Sequence, residues 1–149
     1  MVGCVSMFTS GWKTQFKTVE LKNFTQADGV VISQDFVNSF YDGLRENVQK
    51  AKIADQVVNE GAMVADADAA NSAVIEGKFT EYVQSGAFTW GWVGMEVKVY
   101  RKSDHTLIKT ITQRAQTMHR GLTSTSYADK YEGKMTGGNL ALWIGKNLQ

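Results

Sequence analysis

Ala73-Val74-Ile75-Glu76-Gly77-Lys78-Phe79-Thr80-Glu81-Tyr82-Val83, then Val93-Gly94-Met95-Glu96-Val97-Lys98-Val99-Tyr100-Arg101, then Thr106-Leu107-Ile108-Lys109-Thr110-Ile111-Thr112-Gln113-Arg114: these three segments decide the fold. Side chains alternate across a strand, so Ala73, Ile75, Gly77 and Phe79 share one face, and Val74, Glu76, Lys78 and Thr80 the other. One apolar set opposed by a mostly polar one marks a sheet covered on a single side. Val93, Met95, Val97 and Val99 repeat the pattern, and the third segment is rich in Thr, Ile and Leu, which suit a pleated surface. Gly77, on the apolar face, marks a bulge or the close approach of a helix. Lys102-Ser103-Asp104-His105 is a short cluster of turn formers that forces an antiparallel hairpin. The inward set includes Ile75, Phe79, Met95, Val97 and Ile111.

The other connection, Gln84 to Trp92, carries Phe88, Trp90 and Trp92 at a spacing of two. Large aromatics are mostly buried, so the expectation is that these three extend the strands and cover one end of the core. The alternative is an exposed aromatic lip, which makes Phe88, Trp90 and Trp92 the partner-binding candidates.

Outward from the meander, Phe16 to Phe24 alternates as a first strand with Val19 and Leu21 inward. Ser33 is suited to cap a helix over Gln34–Lys50, whose Phe36, Val37, Phe40, Tyr41, Leu44 and Val48 form one stripe. Ala51–Val58 is a modest second strand, and strand–helix–strand in this order predicts a parallel pair. Ala62–Asn71 reads as an alanine-rich turn or short helix. Its Asp66 and Asp68 lack the glycine and glutamate of a calcium loop. Leu122–Gly138, rich in Ser, Thr, Gly and Tyr, reads as a long loop. A terminal helix follows over 139–148, with Leu140, Trp143, Ile144 and Leu148 inward. The expected fold is α+β: a mixed sheet of about five strands, strand-helix-strand and then a three-strand antiparallel meander, with two helices packed on one face. Residues 1–15 are expected to form a flexible N-terminal segment, and residues 16–149 a single domain.

The chain has 149 residues, enough for one domain with its own core. A formal charge of +1, with the basic residues dispersed, gives no electrostatic case for nucleic acid or an anionic membrane. One cysteine excludes an internal disulfide, and too few ligands remain for a Cys/His metal cluster. No metal and no cofactor are expected. His105 lies in the hairpin turn, and His119 has no cysteine or carboxylate neighbour in sequence. An enzyme would need a nucleophile with a base, or paired carboxylates in a cleft. The carboxylates in view are Glu76, Glu81 and Glu96, and alternation turns Glu76 and Glu96 to solvent. The expectation is therefore no enzyme.

Val2-Gly3-Cys4 resembles the end of a bacterial lipobox, which makes Cys4 the lipidation candidate. That reading expects a leader ahead of or around Met1, and the competing one is an idle or buried cysteine. A lipidated Cys4 would anchor the chain to a membrane, the only membrane contact expected.

Phe16 to Phe24 resembles a valine–x–aspartate-or-asparagine–phenylalanine opening strand. Phe36 to Val48 resembles a helix set ahead of a short strand. Ala73 to Phe79 resembles an x-isoleucine-x-glycine-x-phenylalanine strand, and Met95 to Ile111 a hairpin with an aspartate at its tip. Together they resemble an uncharacterised family of bacterial envelope lipoproteins of the DUF4410 type. The layout is similar to periplasmic domains of curli-secretion and penicillin-binding-protein-activator lipoproteins. The resemblance implies a non-enzymatic accessory or assembly module, in the periplasm or anchored to the outer membrane, that binds a protein partner or itself. It brings no catalytic residues. The alternative function is a small-molecule or peptide-binding domain whose mouth is the aromatic 88–92 turn and the 122–138 loop. The alternative location is cytoplasmic.

Overall fold

A computed structural model describes residues 9–63, 65–117 and 121–149, with the side chains of residues 66 and 67 left aside. Cys4 and His119 lie outside the described residues. The strands are β1 (Phe16–Leu21), β2 (Thr25–Gln26), β3 (Ala54–Asn59), β4 (Ser72–Val83), β5 (Gly91–Arg101) and β6 (Leu107–Thr117). The helices are α1 (Gln34–Asn47), α2 (Asp66–Ala69) and α3 (Thr125–Leu148). The fold is α+β: one open mixed sheet of six strands with α1 and α3 on one face. The sheet has one strand more than expected, because the two-residue β2 continues the line of β1 along β4.

Strand order is β3-β1-β4-β5-β6. β1 pairs in parallel with β3, as the strand–helix–strand order predicts, and also in parallel with β4, which was not expected. β4, β5 and β6 form the expected antiparallel meander, with Ile75 opposite Val99, Phe79 opposite Met95 and Val97 opposite Ile111. Ile75, Phe79, Met95, Val97 and Ile111 are all buried, with Val19 and Leu21 beside them. Neither α1 nor α3 lies on the opposite face. Lys22–Glu76 (3.1 Å) and Arg114–Glu81 (2.8 Å) cross it between strands, and Lys102 pairs with the buried Glu20.

Gly77 is tight for a reason different from either expected one. The register shift in β4 lies further on, between Phe79 and Glu81. A Cβ on Gly77 would overlap the ring of Phe24, which turns in between β1 and β2. That ring meets Phe40, Tyr41 and Phe79 at centroid distances of 5.2, 6.0 and 5.3 Å. The cluster buries aromatic surface in edge-on contacts, which add stability beyond area alone.

Ser33 caps α1 as expected, its hydroxyl accepting from Phe36 N–H at 3.2 Å. Leu122–Gly138 is not a loop. From Thr125 onward it is helix, capped by Ser124, whose hydroxyl accepts from Tyr127 N–H at 3.1 Å. Glycine runs are poor helix formers, which is why the segment read as a loop. Here they serve packing. A Cβ on Gly133 would strike the Phe36 carbonyl, one on Gly137 the Phe40 carbonyl, and one on Gly145 the Ala51 carbonyl. The pairing climbs both segments together, so α1 and α3 run parallel at backbone contact, with Gly43 returning the fit against Lys134. Leu140 and Ile144 face the core, but Trp143 is exposed and lies beneath the Lys146 ammonium, contrary to expectation.

Candidate functional site

The connection from β4 to β5 has two sides. Its backbone is drawn tight by Gly86 N–H, which donates to the Thr89 carbonyl and hydroxyl at 3.1 Å each. Gly91 sits where a Cβ would meet Thr117, the Val83 carbonyl and the Ser85 nitrogen, so only glycine lets the turn close onto β6. The Ala87 carbonyl accepts from Gly121 N–H at 3.1 Å, which sets Leu122 beside the turn.

The outer side carries the aromatics. Phe88 is 84% exposed and Trp90 50% exposed, so the expected cover over the core is not what these two residues form. The apolar demand at this end of the core is met by Phe36 and Tyr82, whose rings meet edge-on at 5.2 Å. Trp92 is separated from Phe88 and Trp90 in environment. It lies in β5 on the face away from α1 and α3, half-buried under the Arg114 guanidinium, which is 3.9 Å from the ring centroid. Arg114 is held there by two bonds to Glu81, 2.8 and 3.1 Å long. Of the three aromatics, then, Phe88 and Trp90 are exposed, and Trp92 is half-buried beneath a guanidinium.

The inner side is polar and closed. Asp129 of α3 is 2% exposed and accepts from the Ser33 hydroxyl at 2.7 Å and from Gln84 Nε2 at 3.0 Å. Glu132, one turn on, is 5% exposed and accepts from the Ser85 hydroxyl at 3.1 Å. Burial raises the Glu132 carboxyl above the ordinary carboxylate value; the Ser85 bond opposes this and the Asp129 charge adds to it. Burial, reinforced by the Asp129 charge, also holds the Tyr82 hydroxyl well above its usual range. Position i, i+3 on one helix brings the two carboxylates to one face. This cluster was not foreseen, because its helix was read as a loop. The available signal was Asp129, Glu132 and Thr136 recurring at helical spacing among small residues.

A buried carboxylate pair is what would reopen the question of catalysis. Here each carboxylate is satisfied by hydroxyl or amide donors, and Ser85 is as closed off as Glu132. Asp129 and Glu132 fasten the root of the aromatic turn, at Gln84 and Ser85, to α3 and to the cap of α1. Among the described residues, no group of three or more His, Cys, Asp or Glu is placed to hold a metal ion. Glu76 and Glu96 lie in ion pairs on the face away from α1 and α3, as expected of solvent-facing residues. The mouth imagined between the 88–92 turn and a 122–138 loop lacks its second half, since that segment is helix from Thr125.

No family model matches the chain, and no curated protein sequence matches it. Solved structures do share its fold. A Xanthomonas campestris protein of the DUF330 type matches with a TM-score of 0.61 at 8% identity, over 92% of this chain and 90% of its own. The PelC dodecamer from Paraburkholderia phytofirmans matches with a TM-score of 0.55 at 13% identity, over 86% of this chain and 89% of its own. A lipoprotein from Neisseria meningitidis matches with a TM-score of 0.51 at 10% identity, over 87% of this chain and 99% of its own. At such identities the likeness is one of fold.

Proposed function

We propose that this chain is a non-enzymatic accessory or assembly module of the bacterial envelope, binding a protein partner or further copies of itself through Phe88 and Trp90. The observation that carries the reading is the pair of exposed aromatics on a turn whose root is tied down by buried Asp129 and Glu132. A large aromatic held outward on a fixed backbone loses little entropy on docking, which is how interface anchors work. Structures of the same fold include a dodecamer and a lipoprotein, which supports self-association and an envelope setting. Cys4 remains the lipid-anchor candidate within this reading, and the finer kinship with DUF4410 and curli-secretion lipoproteins belongs to it too.

The test is sedimentation of the full chain, with cross-linking in envelope extracts. Wild type should self-associate or capture a defined partner. Phe88→Ser with Trp90→Ser should abolish this while leaving the melting curve within about 0.5 kcal/mol, as for surface changes generally. A wild type that stays monomeric and captures nothing would overturn the reading.

A further inference from the structure

A second site lies away from the aromatic turn, along the free side of β2. β3 runs beside β1 only as far as the pairing of Leu21 with Asn59. Beyond that, among the described residues, β2 has β4 on one side and no strand on the other. Its register with β4 determines which backbone groups look outward. Thr25 lies opposite Lys78 and Gln26 opposite Phe79, and Ala27 N–H donates to the Phe79 carbonyl at 2.9 Å. In a parallel ladder alternate residues bond to one neighbour, so Thr25 and Ala27 serve β4 and the N–H and C=O of Gln26 point the opposite way. Phe24 N–H points that way too and is taken by the Tyr41 hydroxyl at 2.6 Å. Gln26 has no such partner among the described residues.

What faces Gln26 is a groove of about 530 Å³, walled by α1. Val37 and Tyr41 give it an apolar strip, and Asn38, Asp42 and Arg45 a polar one. Asp42 and Arg45 are not in any ion pair among the described residues; the Arg45 guanidinium lies 5.6 Å from the Tyr41 ring centroid, and its Nε is buried without an acceptor. The wall thus offers one carboxylate, one guanidinium and neutral amides, with no net charge. A polyanion or polycation would meet repulsion at one of the two charges. A main chain, which alternates donors and acceptors and carries none, complements both.

We infer that this groove takes an extended peptide segment of a partner protein, added as a further strand along β2 with Gln26 as its backbone anchor. One side-chain row would rest on Val37 and Tyr41, and the peptide carbonyls would lie within reach of Arg45. Strand addition of this kind draws its affinity from main-chain bonds and its selectivity from alternate side-chain pockets. None of the groove's residues belongs to the 84–92 turn, so the two sites are separable by mutation.

The test uses a phage-displayed library of random dodecapeptides panned on the full chain, with the selected peptides titrated against variants. Gln26→Pro is the discriminating substitution. It removes the outward N–H and leaves the bonds of Thr25 and Ala27 to β4 in place, and proline is tolerated on an edge strand. Binding should fall about tenfold or more, the equivalent of a lost main-chain bond plus its geometry. Arg45→Glu, which leaves the strand untouched, should weaken the same peptides if Gln26→Pro proves unfolded by circular dichroism. Phe88→Ser with Trp90→Ser should bind them as wild type does. No enrichment over empty wells, equal binding to Gln26→Pro and Arg45→Glu, or loss in the aromatic variant would each overturn the inference. So would a change of oligomeric state on Gln26→Pro alone, which would assign the groove to a second copy of the chain.

Discussion

Gly137 lies where any side chain would press on the Phe40 carbonyl. Two effects compete on replacing it with alanine. Helix propensity favours alanine by about 1 kcal/mol, whereas a methyl forced against backbone costs about 1–3 kcal/mol or more. Backbone yields less readily than a flexible side chain, so the clash wins. Gly137→Ala should therefore lower stability by about 1–2 kcal/mol in urea unfolding, even though it improves the isolated helix. Glu132 poses the opposite case, a charge whose burial is unfavourable. Its carboxyl is raised in the folded state, so folding favours the protonated form. This group's penalty is present at neutral pH and is relieved as pH falls through the raised value toward the ordinary carboxylate range. Glu132→Gln keeps an acceptor for Ser85 and removes the charge. It should melt above wild type at pH 7, and the gap should shrink as the solution is acidified from neutral toward the ordinary carboxylate range, measured by calorimetry.

Among the elements, the starts of α1 and α3 are joined by two side-chain hydrogen bonds. Ser33 accepts from Phe36 N–H to cap α1 and donates to Asp129 of α3, so one hydroxyl serves two helices. Ser126 adds a bond to Asp35 at 2.7 Å. Ser33→Ala removes a cap, worth about 1 kcal/mol, and leaves buried Asp129 short of a donor, worth about 1–3 kcal/mol. The expected loss is at the upper end of that range, against about 1 kcal/mol for Ser124→Ala, which removes only the cap of α3. Hydrogen exchange should show faster opening at Gln84 and Ser85 in the Ser33 variant, because Asp129 also holds that segment. The two helices thus do more than cover the sheet: they anchor the connection that presents Phe88 and Trp90.

For the molecule as a whole, the division between the two sheet faces is the governing feature. One face is filled by α1 and α3, and across the other run ion pairs and Trp92 under Arg114. No described helix is long and apolar enough to cross a membrane. In the proposed envelope reading, Cys4 is the lipid-attachment candidate. Expressed from the native gene, the wild type should fractionate with membranes and carry added lipid mass. Cys4→Ser should be released to the soluble fraction. A soluble, unmodified wild type would remove the anchor and leave the binding surfaces to be judged alone.

The meander and α1 were legible because their information is local. Alternation of Val93, Met95, Val97 and Val99 needs only the neighbouring residues, and so does the stripe that follows the Ser33 cap. The first half of α3 was not legible, since Gly133, Gly137 and Gly138 oppose helix formation within their own segment. Only α1, arriving from a distant part of the chain, turns their lack of side chains into close packing. The carboxylate cluster was hidden with that helix. The exposure of Phe88 and Trp90 and the vacancy beside β2 are also non-local: each depends on which distant element fills, or fails to fill, the space next to it.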